Sequence, residues 1–362
     1  MGRPPGRLPN PDTKVWLDRM VDRGWTAPAW PRAYGGGGLT PAETAVLSEE
    51  LTAAGARPAL FSFGLWMLGP VLLEYATAEQ KARFLPPIAR GEIRWCQGYS
   101  EPGAGSDLAS LRLRADDAGD HWRLNGQKVW TSYADKADWI FCLTRTDPAA
   151  PKHKGISFIL VDLATPGVTT RPIQLISGAS PFCETFFDDV RVPKDNLVGP
   201  LNGGWTIAKK LLQYERQNVS AAGFGGDRSV TVAGLAKRMV GLDRDGRLAD
   251  PVLRDRIARQ EMVERALASA TARAQLEVDA GQAGAFSSII KYAAAKANQD
   301  RHELIVEVLG LDAAGWSGAG FDPGDLAETR KWLRSKGNSI EGGTSEINLN
   351  VLAKNVLGLP EA

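Results

Sequence analysis

The sequence predicts an α+β protein, mostly α, with a small β-domain between two helical regions. Three observations predict it. Helix-capping signals recur before Ile93, short apolar strands with turn signals follow up to about residue 200, and long helical segments return from Trp205. The expected division is an N-terminal helical domain over 1–92, a middle β-domain (barrel or sandwich) over 93–200 and a C-terminal four-helix bundle over 201–362.

The first ~15 residues are rich in Gly, Pro and Arg and read as poorly ordered. An amphipathic helix follows around Val15 to Arg23. Pro31-Arg-Ala-Tyr34 then runs into Gly35–Gly38, which reads as a plain loop because no strand precedes it and no Gly-Lys-Ser/Thr follows. Thr40-Pro41-Ala42-Glu43 is a capping box with proline at the first helical position, opening a helix to about Ala54. Phe61 to Tyr75 reads as a buried helical segment. Thr77-Ala78-Glu79-Gln80 opens another helix, which Pro86-Pro87 should end.

The pattern changes at Ile93. Leu111–Arg114 alternates, and His121–Leu124 leads into Asn125-Gly126, a hairpin signal with Gln127–Ser132 as the return strand. Trp139–Thr144, Gly155–Val161 and Thr185–Val192 read as further strands, so the region should be built from hairpins. No GxGxxG and no ten-residue crossovers occur, which argues against a doubly wound nucleotide-binding sheet. Beyond it, Trp205–Ala222, Pro251–Asp279, Phe286–Leu309 and Asp325–Arg334 read as helices. In the second, Leu253, Ile257, Met262, Val263, Ala266, Leu267 and Ala270 recur at helical spacing.

At 362 residues the chain suits two or three packed sub-domains. A formal net charge of +1 gives no reason to expect nucleic acid or an acidic membrane as partner. No apolar run reaches the ~20 residues of a membrane span, and no signal-peptide core is visible at the N-terminus. Three scattered cysteines and three scattered histidines give no metal site and no histidine-based triad, and suit a reducing cytoplasm.

The stretch around which the chain is organised is Trp95-Cys-Gln-Gly-Tyr-Ser-Glu-Pro-Gly-Ala-Gly-Ser-Asp107. Gly103 and Gly105 could let the backbone turn tightly and bring N–H groups close to an anion or a ring; the alternative is a simple Gly- and Pro-rich turn between strands. Other distinctive segments are Pro31-Arg-Ala-Tyr-Gly-Gly, Leu124-Asn-Gly-Gln-Lys-Val-Trp-Thr-Ser132, Glu184-Thr-Phe-Phe-Asp-Asp-Val-Arg-Val-Pro193, Glu215-Arg216, Gly342-Gly-Thr-Ser-Glu-Ile-Asn348 and Val356-Leu-Gly-Leu-Pro360.

In this order, and over the whole chain, these segments resemble the acyl-CoA dehydrogenase family. The resemblance implies a homo-oligomer (dimer or tetramer) of three-domain subunits, with FAD between the β-domain and the bundle. It also implies α,β-dehydrogenation of an acyl-CoA thioester, in which a carboxylate removes the α-proton and the β-hydrogen goes as hydride to flavin N5. By the same resemblance Gln97, Tyr99, Ser100, Trp130, Thr131 and Ser132 face the flavin, and Thr344, Ser345 and Glu346 approach its diphosphate and adenosine side. Ser106 and Arg216 fall on the substrate side, and an electron-transferring flavoprotein is the implied acceptor. Taken alone, Trp130 reads as a strand aromatic and Ser132 as a turn hydroxyl.

The chain departs from the family in three places. Gly342 stands where the usual catalytic glutamate sits, and glycine cannot take a proton. Glu215 (where a branch of the family carries its base) and Glu341 are the two candidates, with neither as the third possibility. The usual Arg-x-x-Phe-Gly is absent from Asp227–Asp250, and the Gly-Gly-x-Gly-Phe loop is altered to Leu309-Gly-Leu-Asp-Ala-Ala-Gly315. These departures keep open a heterotetramer with a paralogue, other flavin chemistry, or a non-catalytic binding role. Gly342-Gly343 and the small residues Ser220–Gly223 suggest room for a bulky or branched acyl group.

Overall fold

The computed structural model describes residues 11–221, 230–279 and 286–360. They fall into two compact units, one running to Ile173 and including Ser180–Tyr214, the other formed by Gln174–Ala179 and the chain from Glu215 onward.

In the first unit, α1 (Pro11–Asp22), α2 (Pro41–Ala53), α3 (Gly69–Tyr75) and α4 (Ala78–Ala89) precede the strands, with a π-helical turn at Gly64–Leu68 leading into α3. α1 begins at Pro11, inside the segment expected to be poorly ordered; residues 1–10 lie outside the described ones. Both expected capping boxes are present: Thr40 with Glu43, and Thr77 with Gln80. The Gln80 amide also donates to the carbonyls of Asp195 (2.7 Å) and Leu197 (2.8 Å), tying α4 to the end of the β-domain.

α4 does not end at Pro86-Pro87. Both prolines sit in its last turn, where their carbonyls accept from Arg90 (3.0 Å) and Glu92 (2.9 Å). Two N–H bonds are lost, but Phe84, Leu85, Ile88 and Ala89 on the same helix are almost completely buried, and that packing outweighs the loss.

Among the described residues the eight strands are β1 (Trp95–Gly98), β2 (Arg114–Asp117), β3 (His121–Ser132), β4 (Trp139–Arg145), β5 (Ile156–Asp162), β6 (Val168–Ile173), β7 (Phe182–Pro193) and β8 (Leu197–Val198). They form one sheet in the order β6-β7-β3-β2-β4-β5-β8, with β1 beside β4. Pairing is mostly antiparallel, yet β1 and β2 both run parallel to β4, so hairpins alone do not build this domain.

β4 and β5 are buried on both faces. Ile140, Cys142, Ile159 and Val161 join a core within the sheet region, whereas Phe141, Leu143, Phe158 and Leu160 join the core shared with α3 and α4. That double burial explains why both strands read as unbroken apolar runs. Phe84 stands at the second core, edge-on to Trp95 (5.5 Å) and Trp139 (5.2 Å).

The expected hairpin at Asn125-Gly126 is absent. β3 runs straight through, and the reversal lies earlier, at Ala118–Asp120, where Gly119 takes φ +88°. Asn-Gly instead marks a bulge against β7: the register slips between Leu124 and Gly126, and Asn125 Oδ1 accepts from the Asp189 N–H (2.9 Å). Gly126 has φ +146°, and a Cβ there would lie 3.0 Å from Leu113 Cα.

α5 (Gly204–Ala221) leads into the second unit, which contains α6 (Val232–Met239), α7 (Pro251–Asp279), α8 (Phe286–Leu309), α9 (Pro323–Ser335) and α10 (Ser345–Asn355). The four expected long helices are present, joined by the unexpected α6 and α10. α8 is the hub, packing against α6, α7, α9 and α10. Val232, Leu235, Ala236, Leu253, Ile257, Leu304, Ile305 and Val308 form the core.

The inward stripe of α7 keeps Leu253, Ile257, Leu267 and Ala270 of the expected set but not the rest. After Leu253 and Ile257 it continues through Gln260 and Glu264, and the Gln260 amide donates to Ala297 O (2.9 Å). Met262, Val263 and Ala266 face outward and are exposed. Apolar spacing located the helix, but hydrogen bonding to α8 selected its face.

Phe84→Ala should destabilise the first unit by about 3–5 kcal/mol, read by denaturant unfolding. Gly126→Ala should cost about 1–3 kcal/mol in the same measurement, because the added methyl meets Leu113 in a backbone conformation that side chains resist.

Candidate functional site

The first group of site residues belongs to the β-domain. The organising stretch begins as β1, with Cys96 fully buried and Gln97 half-buried. Tyr99 is buried edge-on to Phe141, with ring centroids 6.1 Å apart. Ser100 O accepts from the Val129 N–H (2.9 Å), which places Tyr99 and Ser100 against the middle of β3.

Glu101 anchors the turn. Its carboxylate accepts from the N–H groups of Arg112 (2.6 Å) and Leu113 (2.8 Å) and from Lys128 Nζ (2.8 Å); Lys128 also donates to Tyr99 O (2.9 Å). Lys128 is 0% exposed and Glu101 8%. Burial pushes the lysine below its ordinary range, and the Glu101 charge opposes that shift.

Backbone hydrogen bonds between Glu101 and Ala104 in both directions close the turn. Gly103 lies inside this tight turn, as the sequence suggests, but neither Gly103 nor Gly105 has positive φ, and a Cβ on either would meet nothing within 4 Å. Gly103 lines a cleft of about 300 Å³ together with Glu101, Arg112, Gly126 and Gln127. Ser106 is exposed, and Asp107 pairs with Lys152.

At the end of β3 the backbone is strained. Trp130 (φ +61°) and Tyr133 (φ +54°) both take the left-handed conformation, and the register with β7 slips between Lys128 and Thr131. Such conformations cost roughly 1–3 kcal/mol each and gather at functional sites. The result is a pair of exposed aromatic side chains, 54% for Trp130 and 44% for Tyr133. The Trp130 ring stands edge-on to Phe182, 5.9 Å away.

Thr131, between them, points inward: its hydroxyl donates to Cys183 O (2.8 Å) and lies 2.8 Å from the Thr185 hydroxyl. Ser132 is half-buried. Sequence reasoning missed Tyr133, Phe182 and the role of Lys128. The aromatic residues bracketing Thr131-Ser132 were the available signal.

The second group belongs to the helical unit. Gly342 (φ +64°) and Gly343 (φ +92°) form a left-handed turn before α10, and a Cβ on Gly342 would meet only Lys291 Cε, at 3.8 Å. Lys291 is fully buried and donates to Asn338 O (2.9 Å) and Gly343 O (2.6 Å). Burial lowers its pKa, and the charges of Glu341 and Glu346 work against that.

Glu341 is half-buried and has partners on both oxygens. Arg334 pairs with one oxygen, and the Asn338 amide donates to the other (2.6 Å). Thr344 caps α10 by accepting from the Ile347 N–H (3.2 Å), and Ser345 is half-buried. Glu346 lies in the first turn, where its own N–H and the Thr344 hydroxyl hold its carboxyl below the usual range.

Glu215 and Arg216 lie in α5, with side chains outside the described residues, as are Ser220 to Gly223 and the altered segment's Asp227 and Arg228. Cys96, Cys142 and Cys183 are free and buried, and burial pushes Cys142 to about 12, so the Cys142 thiol is unsuited to act as a nucleophile. Among the described residues no helix is long and apolar enough to cross a membrane.

Three models of acyl-CoA dehydrogenase domains match the chain: the N-terminal domain over residues 7–92, the middle domain over 96–190 and the C-terminal domain over 202–357. Acyl-CoA dehydrogenase IpdE1 of Mycobacterium tuberculosis is 38% identical over 96% of this chain and 88% of its own length. Acyl-CoA dehydrogenase FadE34 of the same organism is 41% identical over 94% of this chain, which spans only 45% of that relative.

Among solved structures, the Tcur3481-Tcur3483 steroid ACAD matches at TM-score 0.82 and 32% identity, over 98% of this chain and 90% of that one. The ChsE4-ChsE5 complex from Mycobacterium tuberculosis matches at TM-score 0.80 and 30% identity, over 97% and 90%. Three domain models in sequence order, spanning nearly every residue, place this chain in the acyl-CoA dehydrogenase family, flavoprotein oxidoreductases of lipid metabolism that act on CH–CH groups of acyl-CoA.

Proposed function

We propose that this chain dehydrogenates an acyl-CoA thioester between its α and β carbons with FAD as cofactor. The observation that carries the reading is the strained, exposed aromatic ledge of Trp130 and Tyr133 at the end of β3, the strand whose Val129 N–H is hydrogen-bonded to Ser100 O just after β1. Low glycines at 103 and 105 and an uncrowded ledge are what a flat ring system needs. Gln97, Tyr99, Ser100, Trp130 and Ser132 would hold the flavin, Thr131 contributing through its backbone. Thr344, Ser345 and Glu346, at the N-terminus of α10, would lie toward the diphosphate and adenosine; N–H groups there suit an anion. When bound, FAD supplies the electron sink that accepts the β-hydride at N5.

The chain's own part is to hold the thioester and remove the α-proton. Glu215 is the proposed base. Glu341, the other candidate, has both oxygens engaged by Arg334 and Asn338, which leaves it poorly placed to accept a proton. Ser106 is exposed beside the open glycines and would meet the CoA arm; Arg216, next to Glu215, would serve the substrate side. We further propose the division at 1–92, 93–200 and 201–362, an electron-transferring flavoprotein as acceptor, a cytoplasmic location that suits the free thiols, and a bulky or branched acyl group.

A second reading is favoured by Gly342 and by the ChsE4-ChsE5 complex among the solved relatives: the chain works as one half of a heterotetramer, with a paralogue completing the site. The homo-oligomer is its alternative. Purifying the chain alone distinguishes them. Yellow protein bleached anaerobically by a bulky acyl-CoA supports the enzyme acting alone; colourless protein that gains flavin on co-expression with a paralogue supports the heteromer. In whichever form binds flavin, Glu215→Gln should slow bleaching by roughly 10²–10⁴-fold while Glu341→Gln leaves it largely intact. The opposite pattern would overturn the assignment of the base, and bleaching by short straight-chain acyl-CoAs only would overturn the substrate class.

A further inference from the structure

Lys128 lies on β3 two residues before Trp130 and is completely removed from solvent. An ammonium in such a place must find partners, because desolvation without pairing is costly. Two are present, Tyr99 O at 2.9 Å and Glu101 Oε1 at 2.8 Å. Glu101 in turn receives the N–H groups of Arg112 and Leu113, just before β2. The Val129 N–H reaches Ser100 O at 2.9 Å. One buried ion pair therefore joins the end of β1, the entry to β2 and the middle of β3.

Those are the two backbone segments, 97–100 and 130–132, that the proposed function sets against the flavin. We propose that the Lys128–Glu101 pair is a positioning device for the cofactor, fixing the separation of the Tyr99–Ser100 backbone from the Trp130 ledge; this rests on the flavin reading above. The pair touches neither the substrate nor the reacting atoms. It acts through Tyr99 O and the strand it holds.

Two features separate this role from plain core stability. An apolar pair of equal bulk would fill the same space, so packing alone gives no reason to bury two charges. The strain at Trp130 and Tyr133 also persists only where flanking contacts over-determine the backbone, and Lys128 supplies one such contact at the start of the register slip.

The test uses the full-length chain in the form that binds flavin. The double variant Lys128→Met/Glu101→Gln removes both charges and keeps one acceptor oxygen, which serves one of the Arg112 and Leu113 N–H groups, each bound by a different oxygen of Glu101. FAD affinity is read by titration of flavin fluorescence, the ring environment by visible circular dichroism, and the fold by far-ultraviolet circular dichroism of the FAD-free protein. The expected result is a native fold, FAD binding weaker by on the order of tenfold and an altered visible spectrum.

A folded double variant with unchanged FAD affinity and visible spectrum would overturn the proposal while leaving the flavin reading intact. Failure of the wild-type protein to bind FAD in any form would overturn both. If the double variant does not fold, Lys128→Arg decides, since it keeps the charge and changes the reach: weakened FAD binding in a folded protein supports the proposal, and wild-type affinity overturns it.

Discussion

A lysine with no water around it has to be satisfied by its neighbours, and in the β-domain this requirement falls on Lys128. Its partners are a carboxylate from the turn and a carbonyl from the end of β1. Moving any one of the three strand segments would strand a charge in the core, a change that commonly costs several kcal/mol. Strained Trp130 is held between that pair and Thr131, whose hydroxyl is committed to β7. The Trp130 ledge can therefore stay exposed at an unfavourable φ.

The helical unit repeats the device with a different partner set. Lys291 is also buried, but backbone carbonyls at 338 and 343 receive it, the second of them within the left-handed Gly342-Gly343 turn. Asn338 adds a second tie through Glu341, and the Asn298 amide donates to Asn338 Oδ1 at 2.8 Å. The turn before α10 is consequently shaped from beneath, and the carboxylate nearest to Gly342 is absorbed into the support.

Much of the architecture was legible in the chain. The two capping boxes, the long helices and the apolar runs of β4 and β5 follow from local chemistry, with signals that survive packing. The failures share one cause, which is that a local signal admits more than one tertiary use. Asn125-Gly126 suits a hairpin as well as a bulge, and the approach of Leu113 selected the bulge. Pro86-Pro87 can stop a helix or occupy its last turn, and burial of Leu85 and Ile88 selected the second. Met262 and Val263 fit the helical spacing of α7, yet the face toward α8 is chosen by Gln260.

The candidate site divides in the same way. Residue types in order, from Tyr99-Ser100 through Trp130-Thr-Ser132 to Thr344-Ser-Glu346, were sufficient to name the family. Which way each side chain points was decided only by the tertiary structure. Thr131 turns inward to β7, Glu341 is held by Arg334 and Asn338, and Gly103 and Gly105 border open space without positive φ. Orientation depends on partners far away in sequence, Lys128 with Glu101 and Lys291 with Gly343, and local pattern carries no record of such pairs.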